Sequence, residues 1–90
     1  MRISEFDWNE GNEEHIARHG VDPSEVEEVF RRNPQIQRGR AGAYLAWGQS
    51  AVGRYLLVVF VRREDGLVRV LTSRDMSERE KKRFRRRRRE

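Results

Sequence analysis

The chain has 90 residues, enough for one small domain and too few for a second. It carries 20 Lys and Arg against 15 Asp and Glu, a net charge of +5, and no Cys, which excludes a disulfide scaffold, thiolate chemistry and a cysteine zinc site. The longest apolar run, residues 55–61, is too short to cross a bilayer and no secretory signal opens the chain, so a cytoplasmic protein without a membrane partner is expected.

Residues Ile3 to Trp8 read as a short first strand. Asn9 is placed to cap a helix over roughly 10–19, with Gly20 as its stop and Val21 as the apolar residue after it. Asp22-Pro23-Ser24-Glu25 is a stronger start signal, because Asp22 can accept from free amides, Pro23 suits the first helical position and Glu25 can reach back. Val26, Val29 and Phe30 then recur at helical spacing, and the helix must stop before Pro34. Beyond it the period falls to two. Ala43, Leu45 and Trp47 share one side of a strand, with Tyr44 and Ala46 on the other. Tyr55 to Val61 is apolar throughout, the mark of a central strand covered on both faces. Glu64-Asp65-Gly66 closes a hairpin onto a return strand from Leu67 to Thr72. Ser77 and Glu80 form a capping box opening a last helix, whose one large apolar residue past Met76 is Phe84. The prediction is α+β: a short N-terminal strand, two helices, an antiparallel sheet of three or four strands and a basic C-terminal helix. Residues 1–84 form the domain, and 85–90 a basic tail expected to fray unless an anion or partner covers it.

Charge is unevenly distributed. Residues 1–30 hold two Arg against nine acids, residues 31–74 nine Arg against two acids, and residues 81–90 eight bases against one acid. Clustered guanidinium forks attract phosphate. Arg54, Arg62, Arg69 and Arg74 are expected either to gather on one accessible face or to pair with the acidic N-terminal helices, with Arg40 in the glycine-flanked loop 39–42 and the tail from Lys81 and Lys82 as further nucleic-acid contacts. His15 and His19, one helical turn apart, are the only histidines; Ile16 stands where a zincin pair needs Glu, so no metal or cofactor is assigned. Trp8, Trp47 and Phe60 read as core, and Tyr44 as the better candidate for base stacking.

The order of Phe6-Asp7-Trp8-Asn9-Glu10, His19-Gly20-Val21, Phe30, Gly53-Arg54-Tyr55-Leu56-Leu57-Val58-Val59, Val68-Arg69-Val70-Leu71-Thr72-Ser73-Arg74 and Glu80 resembles the BrnT-type toxins over about residues 5–84. Asn9, Asn12 and Arg18 depart from the usual pattern and mark a divergent branch. The resemblance implies a RelE-like ribonuclease fold, metal-free RNA cleavage and a small antitoxin as partner, with RNA or the ribosome as target. It would place His19, Arg54, Arg69 and Arg74 near an active surface, Arg74 foremost, with His19 or Glu80 to move a proton. The competing expectation is a non-catalytic module of the same fold that binds protein or nucleic acid.

Overall fold

The computed structural model describes residues 5–89. Seven elements follow in chain order: α1 (Glu10–Ala17), α2 (Pro23–Arg31), β1 (Gln35–Arg38), β2 (Tyr44–Gln49), β3 (Tyr55–Arg62), β4 (Val68–Asp75) and α3 (Glu78–Arg89). The four strands form an antiparallel meander in the order β1-β2-β3-β4. The α+β architecture read from the sequence is the one observed.

Local signals set the helix ends. Asn9 and Asn12 bond reciprocally at the start of α1, as Asp22 and Glu25 do at α2. At the end of α1, Gly20 N–H donates to the Ala17 carbonyl and Val21 N–H to that of Ile16, with Gly20 at φ +71°. A residue with a side chain is strained in that conformation, so glycine stops the helix there. Val21 and Ile16, brought together by this turn, are both buried in the core. Asn33, also at positive φ, and Pro34 stop α2. In α3 the Ser77 hydroxyl accepts from Glu80 N–H at 3.2 Å, while Glu80 accepts from Ser77 N–H at 2.8 Å.

Alternation along β3 divides the interior into two layers. Leu56, Val58 and Phe60 join Ile16, Val21, Val26 and Val29 beneath α1 and α2. Leu57, with Tyr55 and Val59 beside it, joins Trp47, Met76 and Phe84 beneath α3. The sheet is therefore covered on both faces, as its apolar central strand requires. Gly48 permits close approach of α2: a Cβ there would lie 2.9 Å from Val29 Cγ1.

Two expectations change. Ile3 and Ser4 of the expected first strand lie outside the described residues, and the remainder contributes one parallel bridge, Phe6 to Val68. The fourth antiparallel strand is instead β1, which pairs Gln35 to Trp47 through Arg38 to Tyr44. Its sequence, Gln-Ile-Gln-Arg, has one apolar residue, so it shows little hydrophobic alternation. Gln35 donates to the Phe84 carbonyl and Gln37 accepts from the Trp47 indole, giving this polar edge its partners. At the other end of the chain, α3 runs to Arg89. Arg85 lies over Tyr55, Arg88 lies over Phe84, and the Arg88 guanidinium donates to the Asn33 carbonyl.

Candidate active site

The register of β3 against β4 decides where the arginines go. Near the hairpin Arg62 faces Val68 and Val61 faces Arg69, but beyond a bulge Leu57 faces Arg74 and Leu56 faces Asp75. Leu71 is the extra residue, left out of the pairing. A one-residue slip exchanges the two faces of a strand. Without the bulge Arg74 would sit opposite Leu56, under α1 and α2; with it, Arg74 sits opposite Leu57, under α3.

Arg54 precedes β3 on the face covered by α1 and α2. Its Nε and Nη2 donate to the two carboxylate oxygens of Asp75 at 2.7 and 3.0 Å. Nη1 donates to the Gly20 carbonyl at 2.7 Å and to Glu25 at 3.1 and 3.2 Å, and Nη2 also donates to the His19 carbonyl at 3.4 Å. All five guanidinium N–H groups are thus engaged within the chain. Two of the acceptors are carbonyls at the end of α1, where the helix dipole favours a cation. The bond to Asp75 raises the Arg54 pKa above its ordinary value, and the same bond lowers that of Asp75.

Arg74 is held differently. Nη1 donates to Glu80 Oε1 at 2.8 Å and to the Asp75 carbonyl at 3.0 Å, while Nη2 donates to Glu80 Oε2 at 3.0 Å. Glu80 thus grips the end of the fork. The Nε–H and one Nη2 N–H have no partner among the described residues, and the side chain is 43% exposed. Bonded first to Arg74 and then to Ser77, the Glu80 carboxyl is held down at about 2. It stays ionised at neutral pH.

His19, Arg54, Arg74 and Glu80 are consequently connected: the His19 carbonyl meets Arg54, Arg54 grips Asp75, the Asp75 carbonyl meets Arg74, and Arg74 pairs with Glu80. The exposed His19 imidazole lies 6.1 Å from the ring of His15. The expectation of one arginine face is not met. Arg54 lies across the sheet from Arg74, and Arg69, although on Arg74's face by register, stands five residues away, about 16 Å along a strand. Arg69 and Arg63 share one oxygen of Asp7, at 3.1 and 2.6 Å. Arg63 is the dominant cause of Asp7's lowered pKa.

The other candidates are dispersed. Arg40 is exposed in the β1–β2 turn and Arg62 at the end of β3. Lys81 pairs with Glu78 at 3.2 Å and sits 5.8 Å from the centre of the Tyr55 ring. Lys82 is exposed on α3. Tyr44 stacks on Phe60 at 5.6 Å, which places its ring against the core. Asp75 and Glu25, which brace Arg54, were not assigned to the site from the sequence. The available signal was the capping box for Glu25; for Asp75 it was the strand register, which the bulge hides.

Three comparisons with known proteins bear on this arrangement. A family model described as the ribonuclease toxin BrnT of a type II toxin–antitoxin system matches residues 8–80. The crystal structure of the Brucella abortus ribonuclease toxin BrnT is similar in fold, with a TM-score of 0.68 and 21% identity, covering 82% of this chain and 97% of that one. No curated protein matches the chain.

Proposed function

The chain belongs to the BrnT family of ribonuclease toxins of type II toxin–antitoxin systems, and from that premise we propose that it is an endoribonuclease that works without a metal ion. The RNA 2′-hydroxyl attacks the adjacent phosphorus. As the new oxygen–phosphorus bond forms, the bond to the 5′ oxygen breaks, leaving a 2′,3′-cyclic phosphate and a 5′-hydroxyl. One proton leaves the 2′-hydroxyl and one reaches the departing oxygen.

The observation that carries this reading is the open edge of Arg74. Glu80 holds the end of the fork, and the Nε–H and Nη2 N–H edge remains for two phosphate oxygens. A fixed cation aimed at developing phosphate charge is the main catalytic resource of such a site. Glu80, ionised and bonded to Arg74, orients that cation. His19 is assigned the proton transfer, since imidazole is the side chain suited to exchanging protons near neutral pH. Arg54, with its donors occupied, acts as a positioning residue that ties the end of α1 to β4. The partner in this reading is a small antitoxin protein, which silences the enzyme.

The test is incubation of purified protein with RNA in the presence of a chelator, with end-group analysis of the products. Cyclic phosphate ends are expected, and Arg74→Gln should lower kcat by about 100- to 1,000-fold, the usual cost of losing one transition-state donor. Because Arg74 also holds Glu80, the circular dichroism of the variant must match that of the parent. A folded Arg74→Gln protein that cuts at the parental rate refutes the assignment.

A further inference from the structure

Half of the ten described arginines that precede α3 are neutralised within the chain, and one whole face of α3 is not. Arg31, Arg54, Arg63, Arg69 and Arg74 each lie within 4 Å of a carboxylate. Among the described residues no carboxylate comes that close to Arg79, Lys82, Arg83 or Arg86. These four line one open space along the side of α3. They recur at i, i+3, i+4 and i+7, a single stripe about two turns long. Phe84 is buried beneath the helix, and no apolar residue lies in the stripe. The matched family region ends at residue 80, so three of the four belong to sequence beyond it.

We propose that this stripe is an anchor for the phosphate backbone of single-stranded RNA, running beside the Arg74–Glu80 site, whose Glu80 lines one pocket with Arg83. The inference rests on the ribonuclease reading for its choice of nucleic acid. Like charges three and four residues apart destabilise a helix, so an unneutralised stripe is a cost that a bound polyanion offsets. A protein partner is the poorer fit, because stable protein interfaces carry an apolar or aromatic centre and this face has none. Phosphate needs only cations at intervals, and three of the four are arginines, whose forks bind phosphate in two places. Arg83, lying 5.2 Å from the centre of the Trp47 ring, is also held in position from below. The anchor grips RNA without touching the scissile bond, and its contribution should be lost steeply with salt.

The experiment uses a labelled 2′-O-methyl RNA, which cannot supply the attacking hydroxyl, so binding is read apart from cleavage. For single strands each phosphate contact contributes about −0.7 to the slope of log affinity against log salt, so four contacts contribute about −2.8. Replacing Arg79, Lys82, Arg83 and Arg86 by Gln should flatten the slope by that amount. Between about 50 and about 200 mM KCl the parent should then lose about 50-fold more affinity than the variant. The double variant Arg79→Gln, Arg86→Gln should give half the change in slope, and circular dichroism reports whether α3 remains helical. A control in which Arg18, Arg31, Arg32 and Arg38, all exposed elsewhere, become Gln lowers the net charge equally and should leave most of the slope. An unchanged slope in the α3 variant overturns the proposal. So does an equal flattening in the control, or an acidic peptide that binds where RNA does not. Failure of the parent to cut unmodified RNA would instead overturn the ribonuclease reading and leave the anchor standing.

Discussion

Replacing Arg54 with Ala separates bracing from catalysis. The substitution deletes a two-oxygen grip on Asp75, a bond to Glu25 and two bonds to the carbonyls that end α1. Asp75 is 59% exposed and water will solvate it once freed, so its share is small. Glu25 is 19% exposed and the Arg54 side chain 26%, so that half of the arrangement loses a partner where water reaches it poorly. Stranding this partly buried charge costs about 2–3 kcal/mol, below the 3–5 kcal/mol of a fully buried pair, while water takes over the two exposed carbonyls. In a domain of this size that lowers Tm by about 10–20 °C. The assay is a thermal melt followed by single-turnover RNA cleavage well below the new Tm. If Arg54 is a brace, rate per folded molecule should stay within about ten-fold of the parent, against the 100-fold or greater loss expected at Arg74. An unshifted melt with a collapsed rate would show that Arg54 meets the phosphate itself, and the reasoning from its occupied donors would be wrong.

Acid should release α3. The Glu80 carboxyl sits at about 2 in the fold against an ordinary 4.5, so the unfolded chain binds its proton first and the resulting stability is complete above about pH 4.5 and lost as pH falls towards 2. That shift corresponds to at most about 3 kcal/mol, which solvent around the half-exposed Arg74 reduces to about 1–2 kcal/mol. Urea midpoints measured across this window should converge for the parent and Arg74→Gln; a constant gap refutes the linkage. Gly48→Ala should destabilise by about 1–3 kcal/mol, because the new methyl meets Val29 at 2.9 Å; a denaturation curve matching the parent would mean that α2 yields freely. Phe84→Ala should cost about 3 kcal/mol and loosen α3 from Tyr55 and Trp47, seen as faster amide exchange in residues 78–89 with β3 still protected. Uniform acceleration across both would contradict the two-layer core.

Much of the fold was legible because its signals are short. Asn9, Asp22 and Ser77 cap the three helices through partners three residues away, and Gly20 stops α1 within one turn. The apolar stretch of β3 announced two covered faces, and the sides assigned to Leu45, Trp47, Tyr44 and Ala46 are those observed. β1 was hidden because its neighbours, rather than its own alternation, make it a strand. The candidate site was legible only in part. The sequence contains all of its charges, but ion pairs such as Arg54 with Glu25, Arg69 with Asp7 and Arg54 with Asp75 join residues far apart in the chain.

What the chain determined by itself was therefore the set of elements, their caps and the excess of arginine, each set by neighbours within a few residues. Tertiary structure decided which arginines remain available. One bulge at Leu71 sends Arg74 to α3 and Asp75 to Arg54, and the acidic first third of the chain reaches Arg54, Arg63 and Arg69. Charge pairing acts over ångströms in space and has no sequence period, so a pattern read along the chain cannot supply it.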